Sequence, residues 1–435
     1  MKPITSLLKL FISRLHCREQ GQALVLGVIA FAAILGLTAL TIDVGVGFGS
    51  KSQAQRAADS AAYAAALEHL LAGASDAEAT DAAYTWAAAN GYNNSDSETT
   101  ITVNIPPLSG PYAGEDFYVE VIIDDQEGTY FASVWGTDLW DVTARSVATS
   151  DDFPKPYSII TLSPSACQAT NVDGSVVIEI TDAGTFTQSN CATDAFHTQG
   201  AIIVDAADND VVGGWQAGGN VDPPPSKAYP IDDPLAGLTP PTPPSAPVQP
   251  CPTYGGAATV IDLSPGVYNC ALDPPGGWGF NFLPGEYLIT GGLTMNGSGD
   301  ATFDDSIITL RGTGLILTGN GTITSTETMF YVEEGSITLT GTGVMSFTAP
   351  STGDYRGVVF FQARDNTNTV TITGNSSQDG WGTVYAPAAQ IDFSGNGTTS
   401  FQFIGDTFYA HGNSFAQIVF QDNFLTDVPY IWIAE

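Results

Sequence analysis

Ala23–Ile42 reads ALVLGVIAFAAILGLTALTI, twenty residues without a charge. As a helix rising 1.5 Å per residue it would span roughly 30 Å, the thickness of a bilayer's hydrocarbon core. Lys2, Lys9, Arg14 and Arg18 precede it, opposed by Glu19 alone. That bias predicts a cytoplasmic N-terminus over residues 1–22, a transmembrane anchor over 23–48 and export of everything beyond. A cleaved secretory signal is the alternative, but its apolar region would be about 7–15 residues long and end at small residues. Here the run continues through Thr41-Ile42-Asp43-Val44-Gly45 without such a break, so it reads as a retained, single-pass anchor in the cell membrane.

The chain of 435 residues has a formal net charge of −34. Six of its 12 Lys and Arg lie at or before Arg56, whereas of its 46 acids only Glu19 and Asp43 do. The exported part is therefore strongly anionic, which argues against nucleic acid and anionic lipid as partners. Its acids are dispersed, as suits a solvated, self-repelling surface. The densest group, Asp205, Asp208 and Asp210, is the candidate for Ca²⁺, which takes about six to eight oxygens. It lacks the spacing of an EF-hand, and no other metal or cofactor is expected.

Cys17 falls on the cytoplasmic side and is expected to stay free. Cys167, Cys191, Cys251 and Cys270 all lie in the exported part, where an even count predicts two disulfides. Three pairings are possible; Cys167–Cys191 with Cys251–Cys270 closes the shortest loops.

Beyond the anchor, Ser50–Leu71 and Asp76–Asn90 are Ala-rich and read as helices ended by Gly73 and Gly91. Thr99–Ile105 and Phe117–Ile123 alternate as strands, and Val142–Ala148 closes a small α+β module over residues 49–150. Residues 151–435 differ in texture. Short runs such as Val176–Ile180, Ser306–Leu310, Leu315–Thr318 and Ser336–Thr340 are separated by Gly/Asn corners. Such runs suit a parallel β-helix or β-solenoid, in which each coil is covered by its neighbours. A β-sandwich is the alternative. Pro265-Gly266-Val267-Tyr268 and Pro284-Gly285-Glu286-Tyr287 recur nineteen residues apart, which predicts two tyrosines on the same face of neighbouring coils. A Pro-rich strap over 222–252 cannot enter a sheet and leads directly to Cys251. The predicted class is mainly β with an N-terminal α segment.

Chemistry is sparse. Polysaccharide hydrolysis would need two carboxylates at a defined separation, and Asp304, Asp305 and Asp354 are the available acids, with Arg356 as a clamp. Ala410-His411-Gly412 lacks a basic companion motif. Trp278, Tyr355 and Trp381 are the candidates for stacking a sugar, against an internal role in the coil stack. The expectation is a protein that binds and positions rather than an enzyme.

Gly21-Gln22-Ala23 through Val44-Gly45, followed by Gln55-Arg56-Ala57-Ala58-Asp59-Ser60-Ala61-Ala62, resembles the N-terminus of TadE/TadG-like pilus-assembly proteins of the tight-adherence (Flp pilus) system. Gly110-Pro111, Tyr130-Phe131-Ala132 and Val142-Thr143-Ala144-Arg145 are similar to the pilin-like remainder of that module. The exported half resembles long members of the group at Asp233–Leu238, Ser264–Tyr268, Leu283–Tyr287, Arg356–Arg364 and Gly382–Pro387. A prepilin-peptidase cut after Gly21 would place Leu26 where major pilins carry glutamate, so the resemblance implies a minor, membrane-tethered component. It implies the membrane and other pilus-assembly or surface proteins as partners. A carbohydrate-binding adhesin independent of a pilus, and a β-helix polysaccharide lyase or hydrolase, are the alternatives.

Overall fold

Helix α1 (Gln22–Ala66) changes character along its length. The computed structural model describes residues 22–374, 378–420 and 424–435. Cys17 and the basic residues Lys2, Lys9, Arg14 and Arg18 lie outside the described residues. From Leu24 to Phe48 the large apolar side chains of α1 face outward. From Ala54 to Ala66 the helix buries a stripe of alanines, among them Ala57, Ala58, Ala61, Ala62 and Ala65. This is one helix with two solvents: an uncharged stretch up to Ile42 whose large side chains no described residue buries, and a half whose small side chains lose no rotamer freedom on packing. Among the described residues α1 is the one helix long and apolar enough to cross a membrane.

The chain divides into two compact units, and each is built by different rules. The first runs through Asp151 and takes back Tyr430–Glu435. In it α1 continues through a π-turn, Leu67–Leu71. Helix α2 (Asp76–Ala89) starts at a capping box in which Ser75 and Glu78 satisfy each other's backbone amides, and it buries Ala79, Ala83 and Ala87. These alanines share one core with the inward residues of an antiparallel sheet: Ile101, Val119, Val121, Ile123, Val142, Ala144 and Ala148. The sheet comprises β1 (Thr99–Asn104), β2 (Tyr118–Gly128) and the first part of β3 (Leu139–Thr161). Ile431 joins the same core, and Val147 and the end of the chain exchange backbone hydrogen bonds: Val147 N to the Glu435 carbonyl at 2.8 Å and Ala434 N to the Val147 carbonyl at 2.7 Å.

In the second unit, Asp152–Pro429, every described strand pairing is parallel. One ladder can be followed residue by residue: Val248 opposite Val267, then Leu288, Thr309 and Tyr331, then Phe361 and Tyr385. One turn on, the Thr383 hydroxyl meets Gln402 at 2.9 Å. Ile404 then pairs with Ile160, Ile160 with Phe186, and Phe186 with Asp210. The ladder thus joins the end of this unit to its beginning: strands after residue 378 are covered by strands before residue 212.

Alternation along each strand sends one set of side chains inward, where aromatic rings stack from strand to strand. Phe282 lies on Phe303 with ring centroids 4.4 Å apart, Phe303 meets Phe330 at 5.0 Å, and Phe330 meets Phe360 at 5.5 Å. Tyr268 and Tyr287 do share the inward face, their rings 6.3 Å apart. Their register is diagonal, because Tyr287 stands opposite Gly266 and Tyr268 opposite Ile289. The pairing step here is two residues longer than the motif spacing, and a shift of two preserves the face.

Candidate functional site

Against the expectation that residues 222–252 stay out of the sheet, two short strands at their ends, Ser226–Lys227 and Val248–Gln249, do pair, because neither contains proline; the segment between them carries no strand. It has a topological task. The strand at Lys227 pairs with Val211 at one end of the ladder, while Val248 begins the other end. About eleven inter-strand steps of ~4.8 Å separate them, roughly 53 Å. Twenty residues of polyproline-like chain (228–247) reach about 62 Å at ~3.1 Å each. The strap is therefore long enough to return the chain along the stack, even with the turn at 234–237, where the Ala236 amide donates to the Asp233 carbonyl at 3.0 Å; proline serves because the segment pairs with no strand.

It runs over an apolar outer face. Ile231 and Leu235 are buried against Tyr157, Phe186, Tyr331, Phe361 and Tyr385. Gln188 reads the strap backbone in both directions: its Nε2 donates to the Ile231 carbonyl at 2.8 Å, and its Oε1 accepts from the Ile231 amide at 3.0 Å. Tyr385 donates to the Asp233 carboxylate at 2.6 Å. Arg364 Nη2 donates to the carbonyls of Leu235, Ala236 and Leu238 at 2.8, 3.1 and 2.9 Å. Its guanidinium lies over the Phe361 and Tyr385 rings at 5.4 and 5.6 Å, a cation–π arrangement on a solvent-exposed residue. Three sequence-distant motifs, Asp233–Leu238, Arg356–Arg364 and Gly382–Pro387, thus meet in one latch. The far end of the strap is tied by Cys251–Cys270, with Cα atoms 6.3 Å apart. Cys167–Cys191 closes the other predicted loop, with Cα atoms 5.2 Å apart.

Beyond the latch, Gly237–Pro244 forms one wall of a groove of about 1000 Å³. Glu286, Asp305, Glu327, Asp354 and Tyr355 line it. Asp305 and Glu327 occupy equivalent corners of successive strands, and both adopt a left-handed backbone, φ 41° and 49°. Each such non-glycine residue costs about 1–2 kcal/mol. Glu327 is held by the Ser351 amide, which donates to its carboxylate at 2.6 Å. Thr309, buried and with no partner for its hydroxyl among the described residues, also lines the groove. Burial, with Asp354 and Glu286 nearby, pushes the Tyr355 phenol up. Sequence reasoning singled out Asp305, Asp354 and Tyr355 but missed Glu286 and Glu327, whose convergence depends on strand register.

The remaining sequence candidates have other surroundings. Asp208 and Asp210 close on Lys155, whose ammonium lies 3.0 and 2.6 Å from their carboxylates, so a cation already occupies that position. Burial alone would lower the Lys155 ammonium, but the two aspartates hold it above its ordinary value. Asp205 stands on another strand, in register with Glu179 and Asp222. Among the described residues the one cluster with metal-ligand spacing is Cys167, Cys191 and Asp194, and its two sulfurs are spent in a disulfide. Trp278 is buried edge-on against Tyr254, and Trp381 is partly buried against the inner core. Of the three aromatic candidates, Tyr355 alone lines the groove. Asp304 lies exposed beside the corner at Asp305. His411 pairs with Asp392 at 2.9 Å and stacks on Tyr409.

In the first unit the membrane-proximal part of α1 is joined to the sheet by a charge. Asp43 is 3% exposed, and its carboxylate accepts from the amides of Tyr130 (3.0 Å), Phe131 (3.0 Å) and Ala132 (2.6 Å). It thereby caps the short 3₁₀ helix Ala132–Trp135 from a different element. One turn further on, the ring of Trp140 lies on Gly47, where a Cβ would collide with it. Residues 21–68, which include Asp43, Gly47 and the alanine stripe, match the family model for putative Flp pilus-assembly TadE/G-like proteins. The N-terminal segment is TadE/G-like. No curated protein and no solved structure matches the chain. With its apolar helix, the TadE/G-like segment fits a single-pass, membrane-anchored protein of the Tad system.

Residues that resembled the pilin-like remainder of the module now have physical roles. Tyr130-Phe131-Ala132 supplies the amides that Asp43 binds. Gly110, at φ +76°, makes room for the Arg145 guanidinium. Arg145 donates to buried Glu120 at 2.6 Å and to the Glu435 side chain at 2.7 Å. Burial alone would raise the Glu120 carboxyl, but Ser109, Asn104, Arg145 and the Leu108 amide together hold it below the usual range.

Proposed function

We propose that this chain is an extracytoplasmic structural component of a Tad/Flp-type pilus-assembly or surface-adhesion machine, anchored with its N-terminus in the cytoplasm. In this reading residues 49–150 are a pilin-like module for lateral packing. Residues 151–435 are a parallel β-solenoid presented away from the membrane, and they bind and position rather than catalyse. One observation carries the reading: the TadE/G-like match coincides with a helix whose first half is bare and apolar and whose second half packs as a folded module. The N-terminal basic residues support the orientation. The parallel register and inward aromatic stacking support the solenoid.

Deleting the gene should impair pilus display or surface attachment while leaving polysaccharide breakdown unchanged. Protease added to intact spheroplasts should remove the large unit. Full protection of that unit would overturn the orientation, and normal pilus display would overturn the role.

The groove favours a second reading, a carbohydrate-binding surface. Spaced carboxylates suit sugar hydroxyls, and Tyr355 offers a ring beside them. Oligosaccharide binding lost on Tyr355→Ala would favour it. Cleavage of a polysaccharide abolished by Asp305→Asn would favour the enzymatic alternative instead.

A further inference from the structure

Asp43 follows directly on the uncharged run of α1 and grips the loop between β2 and β3 by three backbone amides. That loop is thereby fixed at the level where the apolar run ends. Tyr130 is 68% exposed and Phe131 42%, and at the start of β3 Leu139 is 48% exposed. On α1 beside them, Phe48 is 73% exposed. Residues 129–140 contain no Lys or Arg, and Asp138 is their one charge. The interfacial layer adds about 5–8 Å per leaflet, about three to five residues of helix, so Asp43–Gly47 falls within it and Phe48 lies at its outer edge.

We infer that Thr129–Trp140, the loop and the start of β3, is a second membrane contact, an aromatic collar inserted into the leaflet interface beside the spanning helix on the side of its folded unit. The inference rests on the membrane-anchored reading above. Continuity decides the occupant: the apolar residues adjoin the bare surface of α1, which lipid must cover. Tyrosine and phenylalanine have the amphipathic and apolar character of interfacial anchors. The absence of basic residues makes the attachment hydrophobic, so zwitterionic lipid is sufficient. Asp43 solves the chief difficulty of the site. Its charge lies at the bilayer edge, but it is buried and fully hydrogen-bonded, so it faces neither lipid nor water. It also leaves no free amides at Tyr130, Phe131 and Ala132 in the low-dielectric layer. The collar would hold the sheet at a set tilt to the bilayer, which a single helix cannot do.

The test uses the full chain in phosphatidylcholine nanodiscs, with Cys17→Ser and a nitroxide on Phe131→Cys or on Leu108→Cys. Position 108 follows β1, at the end of β2 away from the loop: Asn104 pairs with Glu120, about 30 Å of strand from Gly128. The expected result is a ratio of oxygen to nickel-chelate accessibility several-fold higher at 131 than at 108. Adding Asp43→Ala should bring the two ratios together while the chain stays in the disc. Equal ratios without that substitution would overturn the collar, as would a label at 131 shielded from both reagents, which would signify a protein neighbour. Failure of the unlabelled chain to float with the lipid would instead overturn the membrane-anchored reading itself.

Discussion

The two units solve the packing problem with opposite side chains. In the first, alanine stripes on α1 and α2 share a core with the valines and isoleucines of an antiparallel sheet. In the second, phenylalanines stack one above another through a parallel ladder. The difference follows from what each backbone sets. Helices have no fixed spacing from a sheet, so small side chains bring them close. Parallel strands are held ~4.8 Å apart by their hydrogen bonds, close to ring-stacking distance, so large flat side chains fill the interior without gaps. A lost ring should therefore cost more than an added methyl group, and the first unit should depend more on its polar clamp.

Phe330→Ala should carry the largest penalty. The ring is fully buried and meets Phe303, Phe347 and Phe360, so its removal should destabilise the second unit by about 3–5 kcal/mol. Urea unfolding of the full chain in detergent, followed by near-ultraviolet circular dichroism, would measure it. A change under about 1 kcal/mol would mean the ladder collapses around the gap and packs less tightly than described.

Ala61→Leu asks the converse question of the first unit. The site is completely buried, and the larger side chain must part α1 from its neighbours at about 1–3 kcal/mol. Amide hydrogen exchange should locate the loss within residues 54–148 and leave the parallel ladder unchanged. Exchange rising equally in both units would break the contrast.

The smallest effect is a pH dependence confined to the first unit. Glu120 is held below its unfolded value of about 4.3. Its contribution is thus fully present above that value and is lost as pH falls through the folded pKa. Unfolding between pH 7 and pH 3 should show a downward slope that Glu120→Gln flattens. An unchanged slope in the variant would remove Glu120 as its source.

Much of this was legible in the residues. The uncharged run, Gly73 and Gly91 as helix stops, the alternating strands and the prolines all act locally, where periodicity and backbone chemistry suffice. The cysteine pairing was legible because short loops favour it. Other features depend on which strand lies beside which. Nothing local in the residues around Ile404 announces that they pair with Ile160, so the strap could be read as extended but not as a return path. The same holds for the groove: Glu286, Asp305 and Glu327 converge through a register that nineteen-residue motif spacing does not supply. Asp43 reads as an acid that interrupts an apolar helix, and only the fold brings it three amides from 87 to 89 residues away. The sequence by itself determined which stretch is long and apolar enough to cross a membrane, where the main helices lie, and that the rest is mainly strand with a proline-rich strap. Strand order, register and the partners of its charges were decided by tertiary structure, because these depend on contacts that exist only after distant segments have paired.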